Sequence, residues 1–293
     1  MTITLACLGG EEIHRQWAAK RFAARELAPR DTPFGPSGPV LLVEGDTPFY
    51  LMPRTAPGLG KSPAARVNAR ANLYALKDLG VERVLDWAPG GAVTHNMAVG
   101  DLVILDDVID QTYLRERTFF ENNPLGFLRQ FPVFCPALRS AVARTLTDLR
   151  LLHHDGGTAA VSEGPRLETP AEIRMFAGFG AQVVTHSFVP ETFLAKELEL
   201  CYTAVCYVVN YAETGSRHRP YAVGELFGGL TEHGDSDRLQ HALGMMMDIN
   251  RHVAQAVAAN PRACDCMGTM EHNRWTHSLD RDWRTWFSSG GGG

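Results

Sequence analysis

The run PAEIRMFAGFGAQVVTHSFVPETFLAKELELCYTAVCYVVNY, residues 170–211, decides the fold class. Pro170 to Gly180 has apolar residues at helical spacing and ends at a glycine, and Ala181 to His186 is a short run rich in β-branched residues. Pro190 to Leu200 again has a helical pattern, and Tyr202 to Tyr211 is an apolar run long enough for a buried strand. Because strands that alternate with helices form a sheet covered on both faces, this run predicts an α/β protein.

The chain on either side continues the alternation. The apolar patterns predict strands at Thr2 to Leu8, Val40 to Val43, Phe49 to Met52, Arg83 to Trp87 and Leu102 to Leu105, and helices at Ala64 to Leu79, Pro136 to Leu152 and Asp237 to Ala259. Asn260-Pro261 breaks the last helix. We therefore expect one domain over residues 1–258 and a tail over 259–293, whose Ser/Gly-rich end at 288–293 is expected to be flexible.

The composition excludes several classes of protein. The 293 residues carry 28 Lys+Arg against 33 Asp+Glu, a net charge of −5, and 45% are hydrophobic. This mild acidity gives no general attraction to nucleic acid or to an anionic membrane. No apolar run reaches the ~18–20 residues of a membrane span, and the first residues lack the pattern of a signal peptide. The expectation is a cytoplasmic enzyme without nucleic-acid or membrane partners.

The six cysteines are scattered along the chain, mostly in apolar surroundings, which favours reduced, buried thiols. Cys264-Asp-Cys266, with His272 and His277 downstream, is the one segment that suggests a metal site. Its spacing lacks the paired C-x2-C of zinc modules, so the prediction is that no metal is bound.

Four segments carry polar residues where a plain core would not place them. They are Gly9-Gly10-Glu11-Glu12, residues 87–91 (WAPGG), residues 161–172 (VSEGPRLETPAE), and His186 to Glu191 together with Asn210-Tyr211. Each also has a purely structural interpretation: a turn for the glycines, a capping box for Thr169 and Glu172, a hydrogen-bonded core histidine for His186, and a strand end for Asn210. Their common position after strands is nevertheless where α/β proteins build their sites.

The same segments resemble one known family. The matching blocks are VSEGPRLETPAEIRMF (161–176), GAQVVTHSFVPETFLAKELELCY (180–202), VVNYAETG (208–215), DTPFG (31–35), VNARANLYALKDLG (67–80), PGGAV (89–93), VGDLVILDDVIDQTYLRERTFF (99–120) and FCP (134–136). They are similar to the purine nucleoside phosphorylase and 5′-methylthioadenosine (methylthioinosine) phosphorylase family. The resemblance implies a three-layer α/β/α nucleoside phosphorylase-like fold with a mixed central sheet, a homotrimer, a purine nucleoside substrate, and no cofactor beyond phosphate as co-substrate.

The resemblance also assigns the side of the site that holds the nucleoside. Glu168 stands where enzymes acting on 6-oxopurines have a glutamate, and Asn210 where they have an asparagine, which makes Asn210 a catalytic residue as well. An amide can donate to O6 or N7 of such a base, whereas a carboxylate can only accept. Leu167 and Ala88 complete the base site, with Leu167 in place of the usual stacking phenylalanine. His186 replaces a methionine against the sugar.

The phosphate side departs most from the family. The resemblance places phosphate among Gly10, Glu11, Arg54, Thr55, Trp87, Ala88 and Ser187. Arg54 and Ser187 match the family pattern, but Glu11 replaces a hydroxyl residue, Thr55 a histidine and Trp87 a hydroxyl or amide residue. A carboxylate opposes a phosphate dianion by about 1–4 kcal/mol at 4 Å, depending on the local dielectric.

The leading interpretation is an enzyme of purine salvage, a pentosyltransferase that cleaves the N-glycosidic bond of a 6-oxopurine-like, 5′-modified nucleoside. One alternative is a hydrolytic nucleosidase, in which Glu11 or Glu12 activates water as a general base. In another, Glu11 pairs with Arg54 and closes the pocket, so that the protein is a non-catalytic nucleoside-binding module.

Overall fold

The computed structural model describes residues 3–19, 21–54, 64–121, 123–214 and 223–287. Thr55 and the Ser/Gly-rich end at 288–293 therefore lie outside the described residues. The strands are β1 Leu5–Gly9, β2 Arg25–Leu27, β3 Asp31–Thr32, β4 Gly35–Pro36, β5 Val40–Val43, β6 Phe49–Pro53, β7 Arg83–Ala92, β8 Leu102–Ile104, β9 Asp107–Gln111, β10 His153–Asp155, β11 Thr158–Ser162, β12 Val183–Thr185 and β13 Cys201–Asn210. The α-helices are α1 Glu11–Ala18, α2 Ala69–Asp78, α3 Pro136–Asp148, α4 Pro170–Gly178, α5 Glu191–Glu197, α6 Asp235–Ala258 and α7 Glu271–His277, and short 3₁₀ helices occupy Ala64–Arg66, Pro124–Gly126, Asp265–Gly268 and Trp283–Phe287.

The central sheet is mixed, as the resemblance implied. Its strands run in the order β10-β8-β13-β7-β1-β6-β5-β2, and β12, β11 and β9 branch from β7. The middle strands β6, β1, β7 and β13 are mutually parallel, whereas β12 pairs antiparallel with β7. Because the parallel strands end at one edge, the segments that follow them come together there.

Helices cover both faces of this sheet and make three layers. Along β13, alternate residues point to opposite faces: Tyr202 and Ala204 belong to the apolar cluster under α2 and α5, whereas Cys201 and Val205 belong to the one under α3 and α6. This period of two, in a strand buried on both sides, explains why the sequence is apolar at nearly every position. The predicted three-layer fold is confirmed.

Most of the predicted elements are present with shorter or shifted bounds. The strands predicted at Val40 to Val43 and Phe49 to Met52 are present as β5 and β6 and pair antiparallel, with Leu41 opposite Leu51. The long helix predicted from Ala64 is a 3₁₀ turn followed by α2, which begins after Asn68 because the Asn68 side chain accepts a hydrogen bond from Ala71 N. Helix α1 was not predicted, because it is only eight residues long and shows few repeats of the helical period.

The segment after α6 packs against the body of the protein. Met270 and Trp286 are buried in the apolar cluster under α2 and α5, and Asn273 Nδ2 donates a hydrogen bond to Leu125 O at 2.9 Å. Phe287 stacks on Phe120, with 5.4 Å between the ring centroids. Within the described residues, no helix combines the length and the apolar character needed to cross a membrane.

Candidate functional site

A cavity of about 180 Å³ opens at the ends of β7, β12 and β13. Three strands contribute to its lining: Gly91 lies in β7, the predicted residues His186 and Ser187 follow β12, and the predicted residue Asn210, with Ala212 just beyond it, lies at the end of β13. The loop before α4 adds Leu167 and Glu168, and the segment after β13 adds the apolar side chains of Phe227 and Leu230. The cavity is therefore the point where the separate polar segments of the sequence meet.

The loop before α4 is fixed by its own hydrogen bonds. Thr169 and Glu172 form the predicted capping box, and Arg166 pairs with Glu172 at 2.7 Å. Glu163 accepts hydrogen bonds from Tyr113 N and Leu114 N and pairs with Arg115 at 3.1 Å. Although burial opposes ionisation, these contacts hold the pKa of Glu163 below its ordinary value. Of the acids in this loop, Glu168 alone is left to face the cavity.

Glu168 is a buried carboxylate oriented by two neighbours. His186 Nε2 lies 3.1 Å from Oε1, and the Ser162 hydroxyl bonds the same oxygen. Burial opposes the charge, but the hydrogen bonds from His186 and Ser162 outweigh it and lower the pKa of Glu168. Since neither contact uses Oε2, Glu168 presents an ionised acceptor to donors on a bound molecule.

Asn210 presents the opposite hydrogen-bonding character. Its Oδ1 accepts the backbone N–H of Ala212 at 2.7 Å, closing an Asx turn in which Ala212 has a φ of +48°. A backbone N–H can bond only the amide oxygen, so this contact assigns Nδ2, a donor with two hydrogens, to the other side of the amide. Gly91 allows this approach, because a Cβ there would lie 2.7 Å from Asn210 Oδ1.

His186, for which a sugar contact is predicted, contacts the residues around it as follows. Its ring lies against Gly164, where a Cβ would be 3.0 Å from Nδ1, and its Nε2 bonds Glu168. The side chain is 28% exposed and lines the cavity. His186 therefore links the predicted sugar side of the site to the base side.

Arg54, predicted for the phosphate side, is buried in a network of charges. It follows β6 directly, and its guanidinium pairs with Asp86, lies 3.3 Å from Glu191 Oε1 and donates to Trp87 O at 3.0 Å. Among the described residues, Arg54 forms ion pairs with these two acids, and its pairing with Glu11, considered from the sequence, stays a prediction. Burial opposes the charge of Arg54, but the two acids outweigh it and its pKa is raised.

Asp86 is the residue that the sequence interpretation missed. It lies wholly buried in β7 and accepts hydrogen bonds from Arg54 and from the Tyr202 hydroxyl. Burial raises the pKa of Asp86 to about 6, since Arg54 offsets only part of the desolvation. The signal was available: Asp86 is the one charge inside the apolar run VLDWA, and a buried acid requires a partner.

The remaining residues predicted for the phosphate side lie near β1 and β7. Gly10 precedes α1, and the exposed Glu11 is the first residue of that helix. Trp87 and Ala88 are buried in β7, and Trp87 Nε1 donates to Asn250 Oδ1 at 3.0 Å. None of these four is among the residues that line the described cavity.

Glu12, the other acid considered as a base for water, is engaged within its own helix. It accepts from Gln16 at 2.7 Å and pairs with Arg15. The catalytic roles proposed for Glu11, Glu12 and Asn210 stay predictions.

The chain is similar in sequence to known nucleoside phosphorylases. A sequence model of the phosphorylase superfamily matches residues 16–228. The chain is 40% identical to a 6-oxopurine nucleoside phosphorylase of Pyrococcus furiosus over 189 residues, which are 62% of this chain and 71% of that protein. It is 38% identical to an S-methyl-5′-thioadenosine phosphorylase of Pyrococcus horikoshii over 65% of this chain and 74% of that protein. With a probable S-methyl-5′-thioinosine phosphorylase of Methanothermobacter thermautotrophicus, the identity is 39% over 62% of each.

Solved structures show the same fold. The methylthioadenosine phosphorylase of Schistosoma mansoni in complex with adenine superposes with a TM-score of 0.76, covering 96% of this chain and 99% of that one at 23% identity. The sequence match thus covers all the residues that line the cavity except Leu230, whereas the structural match covers 96% of the chain.

Proposed function

Because the chain belongs to the phosphorylase superfamily, we propose that it is a purine nucleoside phosphorylase acting on 6-oxopurine nucleosides. The observation that carries the proposal is the pairing of Glu168 and Asn210 in one cavity. A 6-oxopurine has N–H donors on the edge that Glu168 would accept, and acceptors at O6 and N7 for the Nδ2 donor of Asn210. A 6-aminopurine has an acceptor at N1 and a donor at C6, which is the reverse pattern.

In the proposed reaction, a phosphate oxygen forms a bond to C1′ as the bond from C1′ to the base nitrogen breaks. The base leaves with the electron pair of that bond, and its negative charge spreads toward O6 and N7. A donor held at Nδ2 of Asn210 interacts more strongly with this charge than with the neutral base, so it lowers the barrier.

On the phosphate side, the positive charge of Arg54 is already paired with two carboxylates. A guanidinium has five N–H donors, and Arg54 donates hydrogen bonds to Asp86 and to Trp87 O, whereas its Nε lies 3.3 Å from Glu191 Oε1 without a hydrogen bond. Arg54 therefore keeps N–H donors for a phosphate oxygen, and Ser187 lines the cavity of Glu168 and Asn210, although Arg54 is not among the residues that line it. Asp86 and Glu191 together offset the charge of Arg54, which predicts weak phosphate binding.

The test follows base release from inosine, guanosine and 5′-methylthioinosine in buffers with and without phosphate. We expect release that requires phosphate and yields the sugar 1-phosphate. Release at the same rate without phosphate, with free sugar as product, would contradict phosphorolysis and assign the reaction to water. If no base is released but a nucleoside raises the melting temperature, the chain binds nucleosides without cleaving them.

We also propose that the chain assembles into a homotrimer. Tyr113, Leu114, Phe127 and Phe131 are between 68% and 92% exposed, which is unusual for large apolar side chains on a monomer. Light scattering of the purified protein tests this assembly, and a monomer at micromolar concentration would refute it.

A further inference from the structure

Four of the six cysteines come together far from each other in sequence. The Sγ atoms of Cys135, Cys201, Cys264 and Cys266 all lie within 4.8 Å of one another. Cys135 precedes α3, Cys201 is the first residue of β13, and the other two flank Asp265 in the C-terminal segment. All four are free thiols. His272 and His277, which the sequence suggested as companions of Cys264 and Cys266, are not part of this group.

The spacing of the four sulfur atoms suits a single tetrahedral ion. A zinc–thiolate bond of about 2.3 Å places the sulfurs of a tetrahedral site about 3.8 Å apart. The Sγ atoms of Cys201 and Cys264 are 3.3 Å apart, and no pair in the group exceeds 4.8 Å. Each sulfur therefore needs to move by less than about 1 Å to reach this geometry.

The surroundings of the sulfurs supply the donors and charges that a thiolate site requires. Arg262 Nε donates to Cys201 Sγ at 3.2 Å, and Leu138 N donates to Cys135 Sγ at 3.5 Å. Four thiolates on one divalent ion leave two negative charges in excess. Arg262 compensates part of this charge, since its guanidinium contacts Cys201 Sγ directly.

We propose that these four cysteines bind one Zn²⁺ ion as a structural site. The four thiolates would fill the coordination shell, which leaves no open position for a substrate. Two of the ligands come from the body of the protein and two from the segment after α6, so the ion would fasten that segment to the sheet. The superfamily match ends at residue 228, so this pair of ligands lies outside it.

The first experiment measures metal and thiols in the wild-type protein, expressed in zinc-supplemented medium and purified without chelator. We expect about one zinc ion per chain, measured by inductively coupled plasma mass spectrometry. When the protein is denatured in the presence of a chelator and without reductant, a thiol reagent should modify all six cysteines of the chain. If only Cys7 and Cys206 react until a reductant is added, the four cysteines form disulfides and the proposal is wrong. It is equally wrong if all six react but the protein neither contains zinc nor binds added Zn²⁺.

Variants locate the ion. The double variant Cys264→Ser and Cys266→Ser should lose the equivalent of zinc, and a chelator should lower the melting temperature of the wild type but not that of the variant. Cys7→Ala is the matched control, because Cys7 is buried in β1 outside the group, and it should keep its zinc. Zinc retained by the double variant would place the ion elsewhere. The measurements on the wild type decide the matter even if the double variant does not fold.

Discussion

Changing Asn210 to aspartate should shift the enzyme's preference from 6-oxopurines toward 6-aminopurines. The substitution keeps the shape of the side chain, and an aspartate oxygen can still accept the Ala212 N–H that Oδ1 accepts at 2.7 Å. The Asx turn is therefore preserved. What changes is the atom on the other side, where an oxygen that only accepts replaces an amide nitrogen that donates.

The magnitude follows from the hydrogen bonds gained and lost. With a 6-oxopurine, the variant loses one bond and leaves two acceptors facing each other, which costs about 1–3 kcal/mol in a buried site. With a 6-aminopurine, the same oxygen accepts from the exocyclic amine and recovers about 1 kcal/mol. Together these two effects amount to about 2–4 kcal/mol. The ratio of kcat/KM for inosine to kcat/KM for adenosine should therefore fall about 30- to 1000-fold.

The assay compares kcat/KM for inosine and adenosine in saturating phosphate, with base release as the signal. Asn123→Asp is a suitable control, because Asn123 also accepts a backbone N–H through its side chain, in the 3₁₀ turn at Pro124–Gly126, and it is remote from the cavity lining. We expect the control to keep the wild-type ratio. An unchanged ratio for Asn210→Asp would refute the placement of the base against this residue.

Three further substitutions test other parts of the site. Glu168→Gln should lower kcat/KM for inosine by about 10- to 150-fold, because one hydrogen bond to a charged group is lost. A variant with a lower melting temperature but an unchanged kcat/KM would contradict this role. Asp86→Asn removes a negative charge beside Arg54 and should lower the KM for phosphate on the order of tenfold; an unchanged KM would mean that phosphate does not approach Arg54. Gly91→Ala places a Cβ 2.7 Å from Asn210 Oδ1, so the Asn210 amide must shift, and kcat/KM for inosine should fall by about 5- to 150-fold. Normal turnover by this variant would show that the position of the Asn210 amide is not critical.

The pH dependence of the base site follows from the lowered pKa of Glu168. A carboxyl group with a lowered pKa contributes its stabilisation above its unfolded pKa and loses it as the pH falls through the folded value. Glu168 should therefore remain ionised at every pH above about 4.5, the ordinary value for a glutamate. We therefore expect that titration of Glu168 does not change the KM of the wild type for inosine between pH 5 and 8. A rise in KM that is centred inside this range, and that is absent in the variant Glu168→Gln, would refute this expectation.

The amino-acid sequence by itself determined the class of fold and identified the residues that we propose to hold the base. The apolar strands and capped helices are local patterns, and the capping box of Thr169 and Glu172 is formed as the spacing predicted. Glu168 and Asn210 could be identified because each stands in a block of residues matching a family. Both line one cavity, because β12 pairs antiparallel with the end of β7 and brings the segments that follow β11 and β12 beside the end of β13.

Only the tertiary structure decided which side chains become partners. Asp86 in β7 pairs with Arg54, which follows β6 on the other side of β1, and no local pattern predicts a pairing between residues 32 positions apart. The same holds for Cys135 and Cys201, which meet Cys264 and Cys266 only because the C-terminal segment returns to the body of the protein. Spacing in sequence predicts contacts along one helix or strand, whereas contacts between elements depend on how those elements pack.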